Sequence, residues 1–302
     1  PEPGVVGEIW TLADREGTSS VVAEGAFEGR KLAGLMLSER EALLGSVAPT
    51  AAEHFPLLVK YLDATQPLSV QVHPDAQAAK RLGGEAKDEC WYILTAEPGS
   101  QIYLGLASGV DAATFAAEAH GAGVVDMLQA HDVRAGQFVS IPAGTVHALG
   151  AGLTLVEVQE NADTTYRIFD WGRTGLDGKP REIHCEQALK AIDYDLVPDA
   201  PITPRLDASD GVNGRVPLLT RPGFEVDLLG IHRPESLDSG GRPWVYVVLN
   251  GSGTLVLEDG DGSWKVRRGE TWLLPADLGQ HQFTSVDGDL ELLRVSLNEE
   301  GA

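Results

Sequence analysis

The sequence predicts a mainly β protein made of two β-barrels of the jelly-roll type, with a few helices inserted in or flanking the first barrel. Short runs rich in β-branched and aromatic residues recur along the chain. Beyond residue 211 they are almost the only pattern, and Gly- and Asp-rich turns separate them. A Pro- and Asp-rich stretch at 196–211 predicts a linker. We therefore expect two domains, 1–205 and 206–302.

A faint internal repeat indicates that the two barrels have a similar design. The first copy reads Gly-x5-Pro-x-Gly-x2-His over residues 136–147, and the second reads Gly-x5-Pro over 269–275, followed by His281. No Gln-x-His or His-x-His strand precedes the second copy, and the apolar stretch 244–246 occupies roughly that place. We therefore expect metal ligands in the first domain only, and a structural role for His281.

The elements follow from local patterns, taken in chain order. The first 35 residues alternate in short strand-like pieces, and S-x-x-E at 38–41 has the form of a capping box that begins a short helix. The strand patterns that follow lie at 55–64, 68–74, 87–94, 137–144, 153–159 and 164–171. The helix patterns lie at 75–82, at 111–130 as two helices interrupted by Gly, and at 185–192.

Composition limits the class of partner. Of the 302 residues 43% are hydrophobic, which indicates a folded protein, and the net charge of −22 disfavours nucleic acids and anionic membranes. No apolar run approaches the roughly 20 residues needed to span a membrane. The amino end, PEPGVVGEIW, shows no signal peptide.

The two cysteines, Cys90 and Cys185, indicate a cytoplasmic protein with free thiols, although one disulfide between them is the alternative. Cys90 is adjacent to Glu89. Neighbours on a strand face opposite sides, so we expect Cys90 to pack in a core.

Four residues form a candidate metal site: Gln71, His73, Glu89 and His147. Residues two apart on a strand point to the same face, so Gln71 and His73 are expected to project side by side into one cavity. Glu89 lies in another strand-like run, and His147 ends the first copy of the repeat. Two imidazoles, a carboxylate and an amide oxygen suit Zn²⁺ and other first-row divalent metals.

Four sequence blocks, LSVQVHPD, KDECWYIL, PAGTVHALG and ENADTTYRIFDWGR, follow one another in this order. They resemble the type I mannose-6-phosphate isomerases, in the short bacterial form, which are members of the cupin superfamily. The resemblance covers most of residues 7–195 and, more loosely, the second barrel. It implies two cupin barrels and a zinc-dependent interconversion of mannose 6-phosphate and fructose 6-phosphate through an enediol.

The resemblance also implies roles for particular residues. The four ligands would bind one Zn²⁺ per chain. Arg167 takes the position of the family's catalytic arginine, Asp163 matches an active-site aspartate, and Lys87 matches a lysine that lines the same pocket. Ser69 falls where a contact to the substrate phosphate is expected. The implied catalytic residues are therefore Arg167, Lys87 and Asp163, and the implied substrate-binding residues are Ser69, Lys87 and Arg167.

The chain departs from the family pattern in two places. The family normally begins with a further segment that includes a Trp-Gly-Gly block, and this sequence starts after it. Asp88 replaces the small or hydroxyl residue that is common between the lysine and the glutamate. On a strand Asp88 is expected to face outward, opposite Lys87 and Glu89.

Several alternatives stay open from the residues themselves. The ligand set alone also suits an Fe²⁺-dependent oxygenase, and a non-catalytic sugar-binding protein would show the same motifs. The group that abstracts the carbon proton is Lys87, Asp163 or a metal-bound water. Lys60 is a weaker candidate for the pocket, and the stretch 157–159 either lines the barrel or faces solvent. A monomer and a homodimer are equally compatible with the sequence.

Overall fold

Strands make up most of the regular structure, as predicted. The structure is a computed structural model that describes residues 7–174, 178–206, 211–257 and 262–298. The strands are, in chain order, β1 (Glu8–Leu12), β2 (Asp14–Arg15), β3 (Thr18–Ser19), β4 (Leu57–Ala64), β5 (Val70–Val72), β6 (Glu89–Ala96), β7 (Gln101–Leu106), β8 (Leu128–Asp132), β9 (Phe138–Ile141), β10 (His147–Leu149), β11 (Leu153–Glu160), β12 (Tyr166–Phe169), β13 (Gly214–Thr220), β14 (Phe224–Ile231), β15 (Glu235–Asp238), β16 (Trp244–Asn250), β17 (Ser252–Leu257), β18 (Ser263–Arg267), β19 (Thr271–Leu274), β20 (Gln280–Ser285) and β21 (Leu290–Leu297).

The helices are short. They are α1 (Leu32–Ser38), α2 (Arg40–Leu44), α3 (Ala76–Leu82), α4 (Ala112–Glu118) and α5 (Cys185–Ala191), with 3-10 helices at Ala122–Met127 and Ala276–Leu278. The predicted capping box at Ser38 is not used, because α1 ends there and α2 begins two residues later without a side-chain cap. No helix in the described part of the chain is long and apolar enough to cross a membrane.

The chain divides into two compact units. The first comprises the residues up to Trp10 together with Leu58–Thr203, and the second comprises Thr11–Leu57 together with the residues from Pro204 onward. The sequence placed residues 11–57 in the first domain, whereas α1 and α2 group with the second unit. A division of function between the domains 1–205 and 206–302 stays a proposal.

The first unit is built on two five-stranded sheets. Their strand orders are β1-β4-β11-β6-β9 and β12-β5-β10-β7-β8. Apolar side chains from both sheets meet in one core, which includes Trp91, Ile93, Leu104 and Leu155. This core occupies the interior between the sheets, so the unit is the predicted barrel.

Helices cover the outer face of the second sheet of this unit. Phe115 of α4 and Ala188 of α5 pack in one cluster with Val70, Val72 and Ile168 of the sheet. Asp75 caps α3 by accepting a hydrogen bond from the backbone N–H of Ala78, as the sequence indicated. β10 is therefore buried on both sides, whereas Gln71 of β5 and Arg167 of β12 are only partly buried.

The second unit repeats the strand order of the first. Its sheets run β13-β14-β21-β16-β19 and β15-β20-β17-β18. Taken strand by strand, these orders match the first unit, except that β12 has no counterpart at the edge of the smaller sheet. The internal repeat predicted from the sequence is thus present as a repeated topology.

The described residues of the second unit do not include a second candidate ligand set. Trp244 pairs with Leu274 just before Pro275, as Glu89 pairs with Ile141 just before Pro142, so Trp244 occupies the position of Glu89. The expectation that 244–246 takes the place of the Gln-x-His strand is therefore wrong, because β15 takes the place of β5 in the strand order. His281 is fully buried, and its Nε2 lies 2.7 Å from the Tyr246 hydroxyl. Burial lowers the pKa of His281 and raises that of Tyr246 well above its usual value, so both groups are neutral and the hydroxyl donates to the imidazole. This hydrogen bond agrees with the structural role predicted for His281.

Candidate metal centre

The candidate ligands lie where strands of the first barrel begin or end. Glu89 is the first residue of β6, His147 is the first residue of β10, and His73 directly follows β5. The antiparallel pairing of β10 with β5 places His147 opposite Gln71. The sheet register therefore brings the four predicted ligands to one end of the barrel.

Three of these residues form a tight, buried cluster. The ligand atoms of His73, Glu89 and His147 all lie within 4.8 Å of one another. His147 Nε2 is 3.2 Å from one carboxylate oxygen of Glu89, and His73 Nε2 is 3.4 Å from the other. All three residues are at most 2% exposed. In the described part of the chain, this is the cluster of such residues that is close enough to hold a metal ion.

Backbone carbonyls fix the ring nitrogen that each histidine offers. His73 Nδ1 lies 2.9 Å from Thr164 O, and His147 Nδ1 lies 2.9 Å from Thr145 O. An Nδ1–H that donates to a carbonyl leaves the Nε2 lone pair for a metal. Burial lowers the pKa of His147 to about 4, which keeps this imidazole neutral. Both rings are thus oriented as metal ligands.

Glu89 has unused acceptor capacity. Among the described residues neither of its carboxylate oxygens has a hydrogen-bond partner, and Lys87 Nζ lies 2.7 Å from Oε2 as an ion pair. A buried carboxylate that accepts no hydrogen bonds destabilises the folded state unless a cation neutralises its charge. The two imidazoles and this carboxylate therefore fit a divalent first-row metal.

Gln71 lies at the edge of the cluster. Its Nε2 is 3.2 Å from His147 Nε2, and its Oε1 accepts a hydrogen bond from the Ser69 hydroxyl at 3.0 Å. Turning the amide over exchanges these two atoms, so that Oε1 would face the cluster and Nε2 would face Ser69. Ser69 is only 3% exposed, and its predicted contact with a substrate phosphate stays a prediction.

Lys87 shares the buried cavity with Glu89. Its Nζ lies 3.3 Å from His73 Nε2 and 3.6 Å from Glu157. Burial alone would lower the pKa of Lys87, but the charges of Glu89 and Glu157 outweigh burial and raise it. Burial alone would raise the pKa of Glu89, but Lys87 and then His73 hold it well below its usual value. The lysine therefore stays protonated beside an ionised glutamate.

Glu157 and Lys60 form part of the same cavity, which the sequence left open. Glu157 Oε1 is 3.4 Å from Lys60 Nζ, and Glu157 Oε2 accepts a hydrogen bond from Trp91 Nε1 at 3.2 Å. Trp91 in turn packs edge-on against the His147 ring. The usable signal was the alternation along β11, which places Glu157 and Gln159 on one face.

Arg167 lies directly opposite Gln71 in the pairing of β12 with β5. Opposite residues of an antiparallel pair share a face of the sheet, so both side chains point toward the cavity. Arg167 Nη1 donates to Glu182 O at 2.8 Å, and Arg167 Nε has no partner among the described residues.

Asp163 is exposed, and its charge adds to those that raise the pKa of Lys87.

One turn connects three of the ligands. The backbone N–H of Gly144 donates to His73 O at 2.7 Å, and that of Ala143 donates to Asp88 Oδ1 at 2.8 Å. Gly144 has a φ of +86°, and a Cβ there would lie 3.0 Å from Asp193, so this position requires glycine. Asp88 thus binds the backbone of the turn that leads to His147.

We expect Asp88→Ala to weaken metal binding by about tenfold or more, because the turn loses its link to the strand that carries Glu89. Competition with a chelating dye measures this affinity, and Co²⁺ absorption reports the coordination. Asp88→Asn keeps an oxygen acceptor and should restore most of the affinity. Unchanged metal affinity in both variants would contradict a positioning role for Asp88.

Both cysteines are free thiols, as predicted. Cys90 is buried and pairs in register with Val158, and burial raises its pKa well above the usual value. A thiol with a raised pKa is a poor ligand and nucleophile. Cys90 therefore belongs to the core, in agreement with its alternation with Glu89.

Comparisons with known proteins point to one family. A model described as the catalytic domain of type I phosphomannose isomerase matches residues 2–99. The chain is 34% identical to a mannose-6-phosphate isomerase of Streptococcus mutans, over 97% of this chain and 89% of the relative. It is 32% identical to the mannose-6-phosphate isomerase ManA of Bacillus subtilis, over 92% of this chain and 86% of the relative.

Solved structures agree with these relatives. The crystal structure of the mannose 6-phosphate isomerase from Bacillus subtilis superimposes with a TM-score of 0.84 at 27% identity, over 96% of this chain and 89% of that chain. A putative mannosephosphate isomerase from Archaeoglobus fulgidus shares the fold, with a TM-score of 0.70 at 20% identity over 97% of this chain and 88% of that one.

Proposed function

The chain belongs to the type I phosphomannose isomerase family, and from this membership we propose that it interconverts mannose 6-phosphate and fructose 6-phosphate through an enediol intermediate, with zinc as its cofactor. The observation that carries the proposal is the buried cluster of His73, Glu89 and His147, with Lys87 2.7 Å from the carboxylate. Such a cluster provides buried ligands and a neighbouring cation in one place.

The metal would be held by His73, Glu89 and His147, with Gln71 as a fourth ligand once its amide turns over. A bound zinc ion supplies Lewis acidity and a template for the sugar oxygens. The chain provides the rest of the environment. Its two imidazoles are fixed by carbonyls, and both rings are buried.

Arg167 and Lys87 supply positive charge where the reaction develops negative charge. Moving a proton between C1 and C2 places charge on the carbonyl oxygen, and a guanidinium that keeps its proton stabilises that charge. Arg167 faces the cavity opposite Gln71 and is therefore proposed for this role. Lys87 keeps its proton because Glu89 and Glu157 raise its pKa, so we assign it as a proton donor to a sugar oxygen.

Asp163 is proposed as the group that exchanges protons with solvent. It is exposed, and its charge reaches Lys87. An exposed carboxylate whose charge acts on a buried ammonium can pass protons between that group and bulk water. We also propose a cytoplasmic location, since both cysteines are free.

The test is an isotope experiment on the zinc-loaded full chain. Mannose 6-phosphate labelled with deuterium at C2 is incubated with the protein, and both the label and the appearance of fructose 6-phosphate are followed by NMR. We expect loss or transfer of the label together with formation of the ketose. Protein that binds zinc yet leaves the C2 label untouched would overturn the proposal. Sugar binding without exchange would instead identify a binding protein, and oxygen uptake would identify an oxygenase.

A further inference from the structure

The two buried lysines near the candidate metal centre are already paired with carboxylates. Lys60 and Lys87 both contact Glu157, and Lys87 also contacts Glu89. Two buried ammonium groups thus face two buried carboxylates, and their charges balance. A phosphate ester carries about two negative charges near neutral pH. Because these lysines are already paired with carboxylates, cations outside this set are the candidates for binding the phosphate.

Such a surplus exists beside Asp170. The carboxylate of Asp170 is 6% exposed and accepts hydrogen bonds from Arg173 Nη2 at 2.6 Å and from Arg181 Nε at 2.8 Å. Arg181 Nη2 also donates to Asp170. Two guanidinium groups share one carboxylate, so these three residues, the Asp170 cluster, carry a net positive charge within a protein of charge −22.

The guanidinium groups are anchored but remain accessible. The side chains of Arg173 and Arg181 are 22% and 38% exposed, whereas Asp170 beneath them is buried. Asp170 occupies only part of the N–H groups of each arginine. Arginine side chains that are already held in place lose little further entropy when they bind an anion.

The Asp170 cluster lies next to the candidate centre. After burial, the charge of Arg181 is the largest influence that lowers the pKa of Arg167, and Arg173 acts in the same direction. Arg167 itself lies opposite Gln71. Arg167 Nη1 also donates to Glu182 O at 2.8 Å, and Glu182 directly follows Arg181, so the Asp170 cluster adjoins Arg167.

Trp171 links the Asp170 cluster to the segment that carries Ser69 and Gln71. Its Nε1 donates to Leu68 O at 2.7 Å, and its ring packs edge-on against Phe169. Trp171 has a φ of +56°, a conformation that is costly for a bulky residue and persists where its surroundings enforce it. This backbone bend precedes Arg173, whose N–H donates to Asp170 O at 2.9 Å.

We propose that Arg173 and Arg181, held side by side by Asp170, form the subsite that binds the phosphate of the substrate next to Arg167. This inference rests on the proposed function. Planar guanidinium groups match the oxygens of a phosphate through paired N–H donors, and a lysine does so only as a point charge. The subsite would hold the phosphate on C6, at the end of the sugar away from C1 and C2, and would leave the side chains around Lys87 for proton transfer.

The test uses Arg173→Ala and Arg181→Ala in the zinc-loaded full chain. Each variant should raise the KM for mannose 6-phosphate by about tenfold or more, while kcat changes by less than about threefold. Inorganic phosphate should inhibit the parent competitively, and its inhibition constant should rise by a similar factor in the variants. Arg268→Ala, which removes an exposed arginine of the second unit, should leave both constants unchanged.

The outcomes separate this inference from the proposed function. An unchanged KM with an unchanged inhibition constant would overturn the subsite, and inhibition that is not competitive would place the anion elsewhere. If the parent has no isomerase activity, phosphate binding followed by calorimetry still decides: equal binding by parent and variants overturns the subsite. Arg173→Lys and Arg181→Lys keep the charge but lose the paired donors, so intermediate values are expected even if an alanine variant fails to fold.

Discussion

Replacing His147 with alanine should abolish metal binding and reduce isomerase activity by on the order of 10³-fold or more. The metal contributes several kcal/mol to charge stabilisation, and each 1.36 kcal/mol corresponds to about a factor of ten in rate. His147 offers Nε2 3.2 Å from Glu89, and a carbonyl holds the ring in place, so no other described histidine can replace it there. Metal content measured by elemental analysis and turnover measured with mannose 6-phosphate check this expectation.

The matched control is His120→Ala, which removes an exposed histidine from the same unit. It should keep both metal content and activity. Chelation of the parent should cause the same loss as His147→Ala, and added zinc should restore activity to the parent only. A metal-free His147→Ala variant that retains a cooperative thermal transition and full turnover would refute the candidate centre.

Arg167→Lys should lower kcat by about 10²- to 10³-fold and change KM much less, as expected when one preorganised donor to a developing oxyanion is lost. The substitution keeps the positive charge but removes the planar guanidinium group, and with it the Nη1 hydrogen bond to Glu182 O. Steady-state rates with mannose 6-phosphate, together with the rate of exchange of the C2 label, separate chemistry from binding.

Arg134→Lys is the control for this substitution, because Arg134 is exposed and contacts Thr203 on the same unit. It should leave kcat unchanged. If Arg167→Lys raised KM with an unchanged kcat, Arg167 would belong to substrate binding together with Arg173 and Arg181. If both constants kept the parent values, Arg167 would have no part in the reaction.

Local patterns were enough to predict most elements and the three residues that cluster in the structure, His73, Glu89 and His147. Alternation along a strand placed Gln71 and His73 on one face, and the Gly-Pro-Gly turn predicted the approach to His147. The same alternation predicted that Cys90 packs in the core, as observed. These inferences succeeded because strand geometry and turn chemistry depend on residues only a few positions apart.

The partners of the charged residues could not be predicted in this way. Glu157 contacts Lys60 across about a hundred positions, and Asp88 binds the N–H of Ala143, so that Asp88 helps to hold the turn. Such contacts depend on which strands pair and in what register, since a shift of one residue turns each side chain to the other face. Sequence spacing carries no direct signal for them.

The sequence alone determined that this protein is mainly β, that it contains a repeated barrel motif, and that two histidines, a glutamine and a glutamate form its candidate ligand set. Only the tertiary structure decided that residues 11–57 group with the second unit, that the lysines of the cavity are balanced by carboxylates, and that Arg173 and Arg181 share Asp170. The physical reason is how far apart along the chain the interacting residues are. Periodicity and turn chemistry are set by neighbours along the chain, whereas the balance of charge in a buried cavity is set by side chains that only folding brings together.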